Sequence, residues 1–567
     1  MSLYEIKETK TGNYTLVYKG EHEIRLHSAF DPETESARAA EGFDKGRASH
    51  ILVLGLGLAY HAAAIKKKYP DSEIIVFEYD KDVVKLALTH CAKNTKDLHI
   101  INSHDELLTF FENFDINSFR GIAVYTHRPS HQINATFYDE LAGIMKEQIS
   151  SRVSDTLTRF EFEERWIENI FANLPFMGTA LPVAKLFGKF KGCPGVIVSA
   201  GPSLRKNIQH LKSIKDKAVI VCVDTAYKVC LKSGIIPHIV MTLDAQKHSV
   251  KHFTGADTQA LLLADAVSSP AILRSYTGHK AISTTSKYFN DSQGNTTRET
   301  TPIMDWIEKR VEPIGDIQSG GSVATSAFDL LLNMGCDPVV LIGQDLAYTG
   351  REIHSAGTHH NDDWLPTCTR IKNLDTINQA VIRRRSINFV EAYSGKGTVI
   401  TDFVLDLYRG WFQDSAARVS FKTINATEGG ARIKNAVEKP LAELASSLST
   451  LKKTPATTLS EIINSHSSMS MNKLAADLEG ATHSLKKLES LTGNTNQKAP
   501  LLQIDNFLAE NKLEGLINPF LRKTRFYIDR KNIDPAKATE ILTRDIASAV
   551  KKLTILIEKA LLKINAA

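Results

Sequence analysis

The sequence predicts an α/β protein built on parallel sheets, followed by an all-α C-terminal region. Three observations carry this. Short apolar runs alternate with helix-compatible stretches through residues 1–440: "ILVLGLG", "EIIVFEYD", "PGVIVSA", "KAVIVCVD", "PHIVMTLD", "ALLLAD" and "DPVVLIGQD". Turns of glycine and small polar residues close several of these runs. From about Leu441 the strand signal stops, and Leu474, Leu478, Ala481, Leu485 and Leu488 recur at helical spacing.

In the first region Ile51–Leu54 reads as a buried strand, Gly55-x-Gly57 as a turn, 59–69 as a helix and Ile74–Phe77 as a second strand. Glu78 ends that strand, about twenty residues after the glycines. A ribose hydroxyl pair is held by an acid so placed in nucleotide-binding folds. The motif resembles those of methyltransferases and dinucleotide-binding domains but lacks the third glycine. A turn retained for packing alone is the competing reading. Residues 160–184 read as a connecting helical stretch broken by Pro175 and Pro182.

Composition narrows the class. The 567 residues are 43% hydrophobic and 23% charged, as expected of a multidomain globular protein. A net charge of +5 argues against a general nucleic-acid binder, and no apolar run is long enough for a membrane. The opening "MSLYEIKETK" has no signal-like segment, and the six cysteines form no Cys-x-x-Cys pair. A cytoplasmic protein with reduced thiols is expected. From Leu441 onward 18 Lys/Arg face 13 Asp/Glu, so the chain's basic surplus lies there. A solvated helical face explains this, with a partner surface as the alternative.

The central strands end in Ala200, Asp224, Asp244, Asp265 and Asp345. Ligands in open α/β sheets sit beyond the carboxyl ends of strands, so these acids should surround one crevice. In "SAGPSL" Gly201 permits a tight turn, Pro202 suits a first helical turn, and Ser203 offers a hydroxyl and an orphan N–H toward an anion. Asp224, at a strand end, and Thr225 beside it are counted with Asp244 as donor-binding candidates. In "SGGSVATS" Gly321, Ser322, Thr325 and Ser326 make a second hydroxyl-rich helix start, and Gln344, Asp345 and Tyr348 follow the next strand. Ordinary N-capping would explain either helix start alone. The two together, with acids between them, suggest a nucleotide or nucleotide-sugar phosphate site. His354 in "TGREIHSAGTHH" and Glu428 in "NATEGGARI" are the candidate bases.

These segments resemble the motility accessory factor (Maf) family of flagellin glycosyltransferases. The resemblance implies a degenerate Rossmann-like N-terminal domain (1–160), a catalytic doubly wound domain with its linker helix (161–440), and a helical domain available to dock flagellin (441–567). It also implies transfer of a nonulosonic acid, pseudaminic or legionaminic acid, from its CMP-activated form to flagellin Ser/Thr hydroxyls before export, serving flagellum assembly. The central region is further similar to bacterial sialyltransferases. On that likeness Gly201-Pro202-Ser203 and Thr325-Ser326 hold the CMP donor and Tyr348 steadies the departing phosphate, although one extra residue separates it from Asp345. The histidine base of those enzymes has no clear counterpart. Beyond the CMP-sugar no cofactor is implied, and a divalent metal stays open. Two other readings remain: an ATP- and Mg²⁺-dependent pterin pyrophosphokinase using Asp224 and Asp244, and a non-catalytic flagellin chaperone.

Overall fold

The computed structural model describes residues 3–112, 114, 116, 118–290, 296–299, 301–493, 501–531 and 533–566. The chain divides into two compact units. One comprises Met1–Arg159, Phe289–Thr297 and Arg525–Ile533; the other comprises Phe160–Tyr288, Arg298–Thr524 and Asp534–Ala567.

The first unit starts with an antiparallel meander, Tyr4–Glu8, Tyr14–Lys19 and Glu23–Arg25. Its four-stranded parallel sheet contains β1 (His50–Leu54), β2 (Glu73–Phe77), β3 (Leu98–Ile101) and β4 (Ile122–Thr126), in the order β3-β2-β1-β4. Ile51, Val53, Ile74, Ile75 and Val76 are fully buried. Burial on both faces is why β1 and β2 read as unbroken apolar runs.

The second unit is organised by a parallel sheet whose strands are the central runs of the sequence. They are β5 (Gly195–Val198), β6 (Val219–Val223), β7 (Ile239–Thr242), β8 (Leu261–Asp265), β9 (Lys280–Asn290), β10 (Val339–Ile342) and β11 (Thr423–Asn425). Their spatial order is β9-β8-β7-β6-β5-β10-β11. From β5 the chain steps outward to β9, then returns to the other side of β5 as β10. The topological switch point therefore lies between β5 and β10, where a crevice opens at the strands' carboxyl ends.

The C-terminal helices bury the stripes expected of them. Leu474, Leu478, Leu485 and Leu488 on helix Asn472–Gly493 pack with Ile546, Val550, Leu553 and Ile557 on helix Pro535–Ile564. Asp534 caps the latter by accepting from the Ala536 and Lys537 amides. The same core contains Ile167, Phe171, Ala264, Ile282 and Ile303, while Leu441 and Leu444 join the core of the parallel sheet. The helices after Leu441 thus share their apolar interior with the sheet-bearing chain. Among the described residues no helix is long and apolar enough to cross a membrane.

One expectation is corrected. Pro175 does not break the chain, because helix Ala135–Thr179 runs through it. The proline lies near the helix end, and the burial of Phe171, Leu174 and Met177 holds the turn despite the lost N–H.

Leu485→Ala should cost about 2–5 kcal/mol of unfolding free energy in urea titrations, the usual range for a fully buried leucine. A loss below about 1 kcal/mol would contradict the shared core.

Candidate functional site

Three loops converge at the switch point, and one carboxylate ties them together. Asp345, two residues beyond the glycine that follows β10, accepts the Ser203 hydroxyl at 2.7 Å and the Ser203 backbone N–H at 3.2 Å on both oxygens. Its backbone carbonyl accepts the Ala431 N–H at 2.7 Å, bringing in the "NATEGG" loop after β11. The approach is so close that a Cβ at Gly201 would fall 2.1 Å from an Asp345 carboxylate oxygen. At Gly430, where φ is +75°, it would fall 2.2 Å from the Asp345 carbonyl. Pro202 and Ser203 are buried. Burial pushes the Asp345 carboxyl above the ordinary range, and the hydrogen bonds from Ser203 pull it back.

Further bonds knit the same loops. The Ser199 hydroxyl donates to the Gln344 side-chain oxygen at 2.5 Å, and the Gln344 N–H donates to the Thr427 hydroxyl at 3.2 Å. Lys206 donates to the Glu428 carbonyl at 2.7 Å. The Glu428 carboxylate accepts from Asn207 at 3.2 Å and from the Leu441 N–H at 3.0 Å.

These bonds correct several sequence expectations. The Ser203 N–H is not an orphan awaiting an anion, because Asp345 takes it. The helix it was expected to open is a single turn, Leu204–Asn207, so this helix contributes little dipole. At the second hydroxyl-rich start, helix Val323–Met334 is closed by a capping box between Ser322 and Thr325. The fully buried Thr325 hydroxyl donates to the Ser322 carbonyl at 2.6 Å and accepts the Gly320 N–H at 2.9 Å. It therefore has no proton for a ligand. The Gly321 N–H goes to Ser319 at 3.1 Å. The Ser326 hydroxyl in this helix start is fully buried without a partner. Tyr348 gives its hydroxyl proton to Asp402 at 2.5 Å, and burial together with Asp402 holds that phenol protonated. Donation to a departing phosphate would require this bond to exchange.

The strand-end acids are likewise engaged. Asp224, buried and pushed upward in pKa by that burial, accepts the Thr242 hydroxyl at 2.7 Å and the Thr225 N–H at 2.6 Å. Asp244 accepts from the Gln246 N–H at 2.9 Å and from the Ser249 hydroxyl. Asp265 accepts from the Val267 N–H at 2.9 Å and from Thr285 at 2.7 Å, and burial pushes its pKa up to about 6.

His354 is half-buried and belongs to a group that sequence reasoning did not assemble. Its ring stacks on His360 at 4.8 Å, His360 lies 3.9 Å from His359, and His359 lies 4.1 Å from His252. Burial, then the neighbouring histidines, push the His354 pKa down to about 3, so it is neutral at pH 7. The "THH" in the quoted loop was visible, but nothing local in the sequence joins it to His252.

The first unit repeats the theme of an internal carboxylate. Glu78 does not wait for a ribose: it is buried and accepts the Leu56 N–H at 2.8 Å, the Gly57 N–H at 3.4 Å and the Tyr138 hydroxyl at 3.1 Å. The packing reading of that glycine turn accounts for these contacts.

Two outcomes follow from these contacts. Ser203→Ala removes a hydrogen bond to a carboxylate and should lower unfolding free energy by about 1.5–3 kcal/mol, whereas an unchanged urea midpoint would show the clasp contributes nothing. Asp265 has a raised folded pKa, so its contribution is most favourable below the unfolded value near 4 and declines as pH rises to about 6. Unfolding free energy should fall by about 3 kcal/mol over that window relative to Asp265→Asn, and parallel pH profiles would overturn the assignment.

Comparison with known proteins places this geometry. Residues 168–351, covering β5 to β10 and both hydroxyl-rich loops, match the family described as 6-hydroxymethylpterin diphosphokinase MptE-like. Two uncharacterized proteins of Treponema pallidum (strain Nichols) are similar. One is 28% identical over 111 residues, 20% of this chain and 52% of that protein; the other is 26% identical over 217 residues, 35% and 55% respectively. The chain thus spans about half the length of these curated relatives. A Maf glycosyltransferase from Magnetospirillum magneticum AMB-1 superposes with a TM-score of 0.57 at 14% identity, covering 100% of this chain and 94% of that one. The fold, parallel α/β sheets with an all-helical C-terminal region, is that of this Maf glycosyltransferase.

Proposed function

We propose that the protein is a glycosyltransferase of the Maf type. It would move a nonulosonic acid, pseudaminic or legionaminic, from its CMP-activated form to Ser/Thr hydroxyls of flagellin in the cytoplasm before export. The observation that supports this most is the convergence of the "SAGPS", "GQD" and "NATEGG" loops at the switch point of a fold shared along the whole chain with a Maf glycosyltransferase.

The chemistry suits such a crevice. A nonulosonic acid leaves phosphate from a crowded carbon that already bears a carboxylate, so its transition state is dissociative and oxocarbenium-like. The protein's main task is then to donate hydrogen bonds to the leaving phosphate. The Lys206 ammonium, with N–H capacity beyond its bond to Glu428, and the Ser322 hydroxyl are the donors we assign, joined by Thr225 if its 3.1 Å bond to Asp224 exchanges. Gly201, Pro202 and Ser203 shape the floor of the site through Asp345. Acceptance of the acceptor hydroxyl's proton falls to His354, which is neutral at pH 7. An anionic donor bound beside it would raise its pKa toward neutrality. Glu428 is the alternative base, but its carboxylate already holds Asn207 and the Leu441 N–H.

The family match over 168–351 favours a second reading, an ATP-dependent pterin diphosphokinase. It would draw Mg²⁺ to Asp224 and Asp244. Calorimetry separates the possibilities: CMP binding for the transferase, ATP with Mg²⁺ for the kinase, neither for a flagellin chaperone. Flagellin co-expressed with the protein in a host that makes the CMP-sugar should gain mass in steps of one nonulosonic acid. An unchanged mass, with the donor shown to be present, would refute the transferase reading.

A further inference from the structure

Three histidines of the second unit offer uncommitted nitrogens to one point. His252 ends the turn Lys247–His252 that follows β7, and His359 and His360 open helix His359–Trp364. One ring nitrogen of each lies within 4.8 Å of the others. His252 and His359 are 6% and 4% exposed, and His360 is half-buried, leaving a path to solvent. Among the described residues no protein hydrogen bond engages any of the three rings, and the His359 Nδ1 is buried without a partner. A buried imidazole nitrogen left unpaired is costly, and the His359 Nδ1 bears that cost here. A metal ion would use the one nitrogen that each of the three rings turns toward the others.

The donor set restricts the ion. Imidazole nitrogens suit zinc and its neighbours in the first transition row, whereas calcium and magnesium take oxygen. Around zinc, three nitrogens at bonding distance sit about 3.3 Å apart, so a spread of up to 4.8 Å closes with ring rotations. The surrounding charge is mixed: Asp363, paired with Lys251 at 2.7 Å, favours a bound cation, and Lys228 opposes it.

The first unit provides an internal contrast. His27, His61 and His127 also cluster, but His27 Nε2 accepts the Leu58 N–H at 2.8 Å and His127 Nδ1 pairs with Ser130 at 2.8 Å. His61 Nε2 pairs with the Gly55 carbonyl at 2.8 Å, and its ring stacks flat on His127 at 4.2 Å. One nitrogen of each ring is thus spent on the glycine turn or its neighbours, while the His61 Nδ1 is buried without a partner.

We propose that His252, His359 and His360 bind a divalent first-row transition ion, zinc by donor set, with a fourth coordination position left open. Three protein ligands with one vacancy are the pattern of sites that bind a further ligand, in contrast to closed structural sites. The site needs no assumption about which sugar, nucleotide or acceptor the protein uses.

Full-length protein stripped with a chelator should take up one equivalent of Co²⁺ with visible absorption of a four-coordinate ion, and one equivalent of Zn²⁺ by elemental analysis. His252→Ala and His359→Ala should each weaken uptake by more than the roughly 10–100-fold that loss of an outer-shell partner costs. His360→Ala, at the half-exposed ligand, carries the test if either buried variant fails to fold. His61→Gln should bind the ion as the parent does. The proposal is overturned if stripped parent protein takes up no Co²⁺, if all three site variants retain parental affinity, or if His61→Gln abolishes binding. No donor sugar or flagellin enters the experiment, so its failure is separate from failure of the transferase reading.

Discussion

The carboxylate of Asp345 is the constraint on which the second unit's crevice depends. A parallel sheet leaves its strand ends as separate loops, and loops from opposite sides of a switch point have no ladder to hold them together. Here the Ser203 hydroxyl and N–H, the Asp345 carboxylate and carbonyl, and the Ala431 N–H form one clasp. Its closeness explains the absence of side chains at Gly201 and Gly430, where a Cβ would collide with Asp345 itself. Burying this acid costs solvation, offset by its hydrogen bonds. The crevice floor is therefore preorganised rather than assembled around a ligand.

The surrounding charges follow the same logic. Asp224, Asp244 and Asp265 stand at successive strand ends, yet each is bound by hydroxyls and amides of its own neighbourhood. They fix the turns that carry Thr225, the segment leading to His252, and the Val267 backbone. The histidine group lies beyond them, held by a turn after β7 and a helix after β10, elements separated by over a hundred residues of chain. The candidate donors and the histidines of this unit lie on loops, and those loops are stiffened by the same strand-end acids that the sequence placed around a ligand.

Much of the architecture was legible because periodicity reports burial. The runs at Ile51–Leu54 and Ile239–Thr242 are buried on both faces and read as such, and the stripe from Leu474 to Leu488 reads as one helical face. The segments forming the crevice were also legible, since their turn residues are local. What stayed hidden was pairing. That Ser203 and Glu78's glycine turn are already occupied depends on partners 142 and about 22 residues away. A capping threonine and a binding threonine look alike in sequence, and only the cap geometry shows that Thr325 is the former. His252 joins no motif because its companions His359 and His360 lie over a hundred residues further along the chain.

The buried Glu78 has a consequence of its own. A nucleotide entering the glycine turn of the first unit would compete with a carboxylate tethered a few residues away, one already seated on the Leu56 and Gly57 amides and hydrogen-bonded to Tyr138. A tethered group acts at an effective concentration that a dissolved ligand rarely matches. The turn's amides are thus taken by a carboxyl group of the same chain before any ligand arrives.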